Sequence, residues 1–450
     1  MVLLGVKRRK EKDEKMQINI KNKLKIVYIG ICCVLMLGGC RVAANEANAV
    51  ETQIVTGDTE SGQQVDNLIT ESTKESHSIS TENIATTEEI VATESAATSD
   101  TPEPIQTNLT LLMVGDILLH TPVENAALQS DGTYDFAVIF RHTEEDIEAA
   151  DLAIVNQEVI IGGEGLGISG YPAFNAPFAV GDALVDAGFD VVCHGTNHAL
   201  DKGKKGLLNC INFWQENYPD VEVLGIHDSQ ESKDHMYIYE QGDMKIAILN
   251  YTYGTNGIPL PEGMPFAVDM LQEQQVIADI QKAEELADFT VVCPHWGTEY
   301  QLVQSAAQEK WAKLFAKYGA DLVIGTHPHV IQPVEWVTDE ETGHEMLVYY
   351  SIGNFVNWTS ESGKGIANRM VGGMAKITLE QSKDGEIQIA EYGVEPVVCH
   401  LEQGVNGVTV YKLDDYTEEL SEKNQIRLQD SAFSKEYCEQ LCEKVWTDIW

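Results

Sequence analysis

Histidine, carboxylate and amide side chains recur in this chain where strand-like apolar runs end. Three such runs lead into "CHGTNHALD", "CPHWGTEY" and "GTHPHVIQPVE", and two more, "LTLLMVGD" and "LAIVNQE", end in a carboxylate. Neutral imidazoles and carboxylates suit divalent Mn, Fe, Zn or Co. One histidine at one strand end is an ordinary loop residue. Five strand ends that carry such groups together predict a metal site.

The predicted ligands share a position at or just after a strand end. They are Asp116, His120, Glu158, Asn197, His295, His327 and His329. This number of groups suffices for one or two divalent ions, Mn, Fe or Zn; two ions held ~3.5–4 Å apart can activate water and stabilise charge on a phosphoryl oxygen. His198 adjoins a ligand and need not be one. We therefore predict that it is catalytic and protonates a leaving group or holds a phosphoryl oxygen.

Other polar residues of the same motifs are predicted to orient ligands or contact the substrate. They are Asn156, Asp201, Glu299, Gln332, Glu335 and Asn354. The sequence leaves alternatives open for several of them. Glu299 and Glu335 are equally compatible with solvated side chains, and Asn354 with a turn of special conformation. Asn197 and Asp201 are also typical caps of the helix that follows them.

The elements that must position these residues alternate between strand and helix. Apolar strand-like runs are separated by helical segments of ten or more residues from 108 onward. This order predicts βαβ units and a largely parallel sheet, with the polar groups at the carboxyl ends of the strands, where such sheets bind ligands. "EMLVYYSIGNFV" is predicted to be a single strand. After Gly372 the pattern indicates antiparallel strands, and residues 414–450 are predicted to be a helical C-terminal appendage.

The amino-terminal segment, 1–39, has the pattern of a secretory signal peptide. A basic stretch precedes the short apolar run "IVYIGICCVLML" and then "GGC", and Met16 is an alternative start to Met1. The run is shorter than the ~20 apolar residues of a comfortable membrane span. "LGGC" resembles a bacterial lipobox, with Cys40 as the lipidated residue. We predict a lipoprotein on the outer face of the cell membrane; the alternative is an uncleaved anchor helix.

Residues 40–106 are predicted to form a disordered acidic stalk. Between 41 and 106 there is no Phe, Tyr or Trp, and 13 acidic residues stand against two basic ones. Such a segment buries too little apolar surface to offset its ordering entropy. The predicted main domain begins at 107 and ends at 413; residues 107–450 hold 19 basic and 55 acidic residues. This excess disfavours nucleic acid as a partner and repels polyanions unless metals or a local basic patch intervene.

The ordered motifs carry a family resemblance. G-D, N-x-E, N-H-x-x-D, H-W-G-x-E, G-x-H-P-H-x-x-Q and Y-S-I-G-N-F together resemble the bacterial capsule-synthesis family of CapA type, associated with poly-γ-glutamate, over roughly 108–400. That family is similar to calcineurin-like metallophosphoesterases. The resemblance therefore implies an α/β fold in which a sandwich of two β-sheets is flanked by helices.

The resemblance also implies roles for individual residues. Asp116 matches the first phosphoesterase motif, Glu158 takes the place of the bridging aspartate, Asn197 and His198 match the asparagine–histidine pair, His295 the lone histidine, and His327 and His329 the terminal pair. Two positions depart from the phosphoesterase pattern. Residue 118 is Leu118, so that His120 follows two positions late, and the bridging position holds Glu instead of Asp.

The expected function is a part in synthesis, release or attachment of an anionic capsule polymer, poly-γ-glutamate, through a metal-dependent site. The expected partners are that polymer, the membrane through the lipid anchor, and capsule-synthase membrane proteins. One alternative is a metal-dependent phosphohydrolase that acts on a surface phosphoester. A second is a non-catalytic accessory protein that docks the polymer.

Overall fold

The first apolar run of the motif region forms the central strand of a sheet. In this computed structural model, which describes residues 108–450, nearly every side chain of β1 (Asn108–Ile117) is buried. A strand buried on both faces needs cover on both sides, as in α/β proteins. The predicted signal peptide, Cys40 and the predicted stalk lie outside the described residues.

Fourteen strands are present between 108 and 450. They are β1 (Asn108–Ile117), β2 (Leu152–Asn156), β3 (Val191–Cys193), β4 (Glu222–Leu224), β5 (Ile238–Gln241), β6 (Met244–Thr252), β7 (Phe289–His295), β8 (Leu322–Ile324), β9 (Val334–Thr338), β10 (Glu345–Tyr349), β11 (Asn354–Val356), β12 (Val371–Gln381), β13 (Ile387–Leu401) and β14 (Val408–Lys412).

The strands form two sheets. The first has the order β14-β13-β12-β1-β2-β3-β4, with β11 also paired to β1, and the second has the order β5-β6-β7-β8-β10-β9. β1 to β4 pair in parallel, whereas β12, β13 and β14 pair antiparallel, as the change of pattern after Gly372 predicted. In the second sheet β6, β7, β8 and β10 are parallel, and the edge strands β5 and β9 are antiparallel.

Ten α-helices connect and cover these strands in the described part of the chain. They are α1 (Thr121–Ala127), α2 (Ala137–Phe140), α3 (Glu144–Ala149), α4 (Ala179–Ala187), α5 (Gly203–Asn217), α6 (Gln230–Asp234), α7 (Glu273–Leu286), α8 (Ala306–Tyr318), α9 (Glu418–Lys423) and α10 (Lys435–Trp446). α8 begins with a capping box between Ser305 and Gln308 and ends at Gly319 in the left-handed region.

Two apolar clusters hold the layers together. The larger contains buried residues of both sheets together with residues of α4 and α5, such as Leu184 and Leu207. The smaller joins the second sheet to α7 and α8 through residues such as Ile280 and Phe315. The architecture is therefore α/β, with two β-sheets and helices packed on them, and the predicted fold class is confirmed.

The prediction of one strand for "EMLVYYSIGNFV" is wrong. β10 belongs to the second sheet, whereas β11 pairs with β1 in the first sheet, with Asp116 opposite Asn354. The chain crosses between the sheets at Gly353, whose φ is 68°, and the Gly353 oxygen lies where a Cβ on Gly115 would stand. A continuous apolar run conceals this break because both halves are buried.

The C-terminal segment, 414–450, is helical and contributes to the larger cluster. Phe433, Cys438, Leu441 and Trp446 are buried there, and the indole of Trp446 donates to the backbone oxygen of Gln332. In residues 108–450 no helix has the length and apolar character needed to cross a membrane. Residues 108–450 belong to a single compact unit.

Candidate metal centre

The carboxyl ends of strands from both sheets meet at one place. Asp116 and Asn156 end β1 and β2 in the first sheet, and the Asn156 side-chain amide donates to Asp116 Oδ1 at 2.8 Å. His295 ends β7 in the second sheet, and its Nδ1 lies 3.9 Å from the same oxygen. The expectation that strand ends bring these groups together holds across two sheets instead of one.

Glu158 lies at the centre of the group. Its Oε1 is 3.7 Å from Nε2 of His295, 3.7 Å from Nε2 of His329 and 3.9 Å from Nε2 of His198. These separations exceed hydrogen-bond length. The carboxylate is fully buried, and neither oxygen has a hydrogen-bond partner in the described structure. A buried carboxylate without a partner is costly, so this geometry fits a cation between Glu158 and the imidazoles.

His327 and His329 complete the candidate metal centre, which we define as Glu158, His327 and His329. One ligand atom from each lies within 4.8 Å of the others. His327 Nδ1 is buried and has no partner in the described structure. Both histidines have positive φ, 97° and 58°, which is uncommon for non-glycine residues and clusters at functional sites. The turn around Pro328 thus holds two imidazoles in a conformation that the fold must enforce.

Asp116 hydrogen-bonds to both histidines of the candidate metal centre. Its Oδ2 accepts a hydrogen bond from Nδ1 of His329 at 3.1 Å, and both of its oxygens lie 3.3 Å from the backbone N–H of His327. A histidine whose Nδ1–H is held by a carboxylate is fixed in orientation, and here Nε2 faces Glu158. Asp116 is thus hydrogen-bonded to the ring of one candidate ligand, and its role as a direct ligand stays a prediction. Asn354 Oδ1 lies 3.0 Å from the same Nδ1.

Asn197 and His295 form a second pair of candidate ligands. Asn197 Oδ1 lies 2.9 Å from His295 Nε2, the nitrogen that faces Glu158. His295 Nδ1 lies 3.1 Å from Thr326 Oγ1, which fixes the ring. Both side chains are buried, and His295 faces the Glu158 carboxylate.

His198 lies beside the candidate metal centre and is hydrogen-bonded to the carboxylate of Asp201. Its Nδ1 donates to Asp201 Oδ2 at 2.7 Å, and Asp201 also accepts from the backbone N–H of Phe174 at 2.7 Å. Its Nε2 therefore faces Glu158 and the cleft. A histidine oriented in this way by a carboxylate can give or hold a proton.

Burial and charge set the protonation of the centre. Desolvation raises the pKa of Glu158 well above its usual value and lowers the pKa of His295 and His327 well below theirs, so these imidazoles are neutral. Burial alone would lower the pKa of His329, but the carboxylates of Glu158 and Asp116 raise it to about 9. Two neutral imidazoles beside a carboxylate that lacks a partner are a donor set that suits a divalent ion.

Other predicted residues line the adjoining cleft or hold a nearby loop. His120 lines the adjoining cleft, with its ring edge-on to Phe174 at 5.2 Å, and Glu299 lines the same cleft. Gln332 is buried and donates to the backbone oxygens of Gln301 and Val303, so it secures that loop. The structure does not bring Glu335 to the centre.

Glu335 and His194 belong to the histidine-containing motifs but have other surroundings. Glu335 is exposed on the edge strand β9 and accepts a hydrogen bond from Tyr350 at 2.8 Å. His194, the first histidine of "CHGTNHALD", is buried against α5 and accepts a hydrogen bond from the Trp214 indole at 3.2 Å. Burial lowers the pKa of His194 to about 3, so this histidine is a neutral core residue.

A cleft of about 820 Å³ opens beside the centre. Asn197, His198 and His329 form part of its wall, which includes one residue that sequence reasoning missed, Arg369. Arg369 is buried, and its guanidinium lies 3.5 Å above the ring of Tyr300. It follows no strand end and belongs to no ligand motif, so no sequence pattern pointed to it.

The chain is similar to proteins of capsule synthesis. Residues 110–359 match the family model described as "Bacterial capsule synthesis protein PGA_cap". A capsule biosynthesis protein CapA from Bacillus anthracis is 27% identical over 56% of this chain and 61% of its own length. A PGA biosynthesis protein CapA from Bacillus subtilis is 31% identical over 39% of this chain and 45% of its own length. The chain thus spans less than two thirds of either relative.

Solved structures with a related arrangement include phosphatases and nucleotidases. A phosphatase from Mycoplasma pneumoniae has a TM-score of 0.40 at 15% identity, over 65% of this chain and 95% of the other. A putative 5'-nucleotidase from Staphylococcus aureus has a TM-score of 0.41 at 17% identity, over 64% of this chain and 54% of the other.

Proposed function

The chain belongs to the bacterial capsule synthesis protein family PGA_cap, and from this membership we propose that it acts on an anionic capsule polymer through a divalent metal site. The proposed polymer is poly-γ-glutamate, and the proposed step is its synthesis, release or attachment. The proposed location is the outer face of the cell membrane, with a lipid on Cys40. Capsule-synthase membrane proteins are the proposed partners.

One observation carries the proposal of a metal site. The buried carboxylate of Glu158 has three imidazole nitrogens within 4 Å and no hydrogen-bond partner among the described residues. A structural carboxylate in a protein core is normally hydrogen-bonded. Glu158, His327 and His329 would hold the ion, with Asn197 and His295 beside them. Mn, Fe and Zn are the ions that this mixture of donors suits.

Different residues of the site would orient the ion's ligands and supply a proton. When bound, a divalent ion supplies positive charge for a developing oxyanion and acidifies water. Asp116 keeps His329 oriented through Nδ1, so that Nε2 faces Glu158. His198 presents Nε2 toward the same space, and Asp201 fixes the ring through Nδ1. His198 is therefore placed to give a proton to a leaving group at the bond that is broken.

A metal-dependent phosphohydrolase is the second candidate. The feature that favours it is Arg369 in the cleft wall, because an arginine fork matches phosphate as well as carboxylate. Turnover of an aryl phosphate by the metal-loaded chain would favour this candidate over polymer chemistry. A polymer-docking accessory without catalysis would keep capsule formation when His198 is replaced by Ala.

Capsule formation tests the proposal with a matched pair of variants. A strain that lacks the gene is complemented with Glu158→Gln or with Glu335→Gln, and capsule is measured by immunostaining together with the metal content of the purified chains. Glu335→Gln is the control because its carboxylate is exposed on an edge strand. We expect Glu158→Gln to lose metal and capsule together while the control keeps both. Full capsule with Glu158→Gln would contradict the proposal.

A further inference from the structure

Arg369 is the one lysine or arginine among the described residues that line the cleft. Its surroundings are acidic, since residues 107–450 carry 55 acidic against 19 basic side chains. A polyanion meets a repulsive field over such a surface unless a local cation offsets it. A single buried arginine beside the candidate metal centre is therefore the point at which an anionic group of the substrate finds a partner.

We propose that Arg369 binds a carboxylate of the substrate, and that Glu361 occupies the guanidinium until that carboxylate displaces it. The inference rests on the proposed function, because it concerns the anionic polymer. It adds to the proposed function a residue that selects the substrate, Arg369, and a carboxylate that competes with the substrate, Glu361.

The guanidinium is held in a fixed place. It stacks on the ring of Tyr300, and Nη1 donates to Thr359 Oγ1 at 3.1 Å. The backbone oxygen of Arg369 accepts from the Asn354 amide at 3.0 Å, and the same amide donates to the backbone oxygen of His329. The arginine is thus tied to the element that carries a candidate metal ligand. An arginine fork that is already oriented loses little entropy when it binds.

The C-terminal segment braces this arrangement from the other side. Arg369 lies in a short 3-10 helix, Ile366–Met370. The turn before that helix is held by Asp430, whose Oδ2 accepts from the backbone N–H of Gly365 at 2.7 Å. Gly363 donates to the backbone oxygen of Gln429 at 3.0 Å. Residues after 414 therefore have a part in the position of the arginine.

Glu361 is a weak partner for a buried guanidinium. Its carboxylate contacts Nη2 of Arg369, but the Glu361 side chain is 61% exposed, whereas the Arg369 side chain is 9% exposed. Solvent screens the exposed carboxylate and weakens its attraction to the guanidinium. A substrate carboxylate that reaches Arg369 from the cleft can replace Glu361 at small cost. Glu361 then turns to solvent.

Tyr300 contacts both the arginine and a candidate metal ligand. The Tyr300 ring lies 6.0 Å from the ring of His329 and directly under the guanidinium. A γ-linked glutamate chain carries one free carboxylate per residue, a few bonds from each backbone amide. A carboxylate on Arg369 therefore leaves a neighbouring amide within reach of the candidate metal centre. A neutral polyamide of the same length lacks this contact.

Equilibrium binding tests the inference with variants that move in opposite directions. The detergent-solubilised full chain is titrated calorimetrically with a γ-linked glutamic acid decamer, with the same decamer amidated at its α-carboxylates, and with inorganic phosphate. We expect Arg369→Lys to bind the acidic decamer about 10–100-fold more weakly, since a charged hydrogen-bonded fork is lost. We expect Glu361→Ala to bind it about 2–5-fold more tightly, since an internal competitor is removed.

Two controls make the result specific. Arg141→Lys changes an exposed arginine outside the cleft and should bind like the unaltered chain. Glu361→Ala combined with Arg369→Lys should show no gain over Arg369→Lys alone. A variant that fails to fold cannot bind more tightly, so the gain in Glu361→Ala separates the inference from general damage.

The other outcomes overturn the inference. Unaltered decamer binding in both variants would show that Arg369 and Glu361 do not bind the substrate, and it would not contradict the proposed function. Equal binding of the acidic and the amidated decamer would show that the substrate carboxylate is not what Arg369 recognises. Phosphate binding that depends on Arg369, without decamer binding, would replace the carboxylate with a phosphoryl group. If no chain binds the decamer, the inference fails, and the capsule phenotype of Glu158→Gln still decides the proposed function.

Discussion

Replacement of Glu158 by Gln should abolish the stabilisation that a bound divalent ion gives to the folded chain. The change keeps the size of the side chain and removes its charge. In the metal-free protein the carboxylate is buried without a partner in the described structure, and burial raises its pKa well above the usual value. A neutral amide at that position is no costlier to bury. We therefore expect the metal-free variant to be at least as stable as the metal-free parent.

The size of the effect follows from linkage. An ion at 100 times its dissociation constant stabilises the folded state by about 2.7 kcal/mol. For roughly 340 folded residues at ~2.1 cal/mol/K of unfolding entropy each, this raises the melting temperature by about 4 °C. If the loss of the carboxylate weakens binding 100-fold, the same ion concentration gives the variant only about 0.4 kcal/mol. The expected rise in melting temperature is then below about 1 °C.

Differential scanning calorimetry with and without Mn or Zn measures both quantities, and Glu335→Gln is the matched control. The reasoning requires a large metal-dependent shift in the parent and the control and almost none in Glu158→Gln. It would be refuted by a Glu158→Gln protein that is destabilised without metal and keeps the full metal-dependent shift, because Glu158 would then be a structural partner of the histidines.

Four further predictions address individual parts of the account. Asn197→Ala should lower metal occupancy, whereas His198→Ala should keep the metal and lose function ~10²–10⁴-fold; equal metal and full function in the His198 variant would remove its catalytic role. Asp116→Asn should weaken metal binding about 10–100-fold through the orientation of a ligand, as measured by chelator competition. Cys40→Ala should leave the membrane fraction, and retention there would favour an uncleaved anchor. Added protease should cut 41–106 and spare the rest; a protected 41–106 fragment would show packing against the domain.

The sequence predicted those site residues that directly follow a buried, apolar strand. Asn156, His295 and His327 follow continuous apolar runs, and the structure gathers them because strand ends of both sheets meet at one site. The family resemblance added the order of the motifs, and the family is confirmed. These signals are local, so one sequence suffices to find them.

The rest depends on tertiary contacts that leave no local pattern. Arg369 reaches the cleft from a short 3-10 helix, and only the packing of the C-terminal segment shows why it stands there. The break at Gly353 is hidden because both halves of the run are buried in different sheets. His194 has the same strand-end position as the candidate ligand histidines, yet its ring turns to Trp214 and the core.

Anomalous diffraction from crystals grown with Mn or Zn would test the central claim most directly. Data collected on both sides of the metal absorption edge locate the ion independently of the protein coordinates. The account predicts a peak within about 2.0–2.2 Å of a Glu158 oxygen and of imidazole nitrogens of His327 and His329. An ion bound elsewhere, with Glu158 hydrogen-bonded to protein groups, would contradict it.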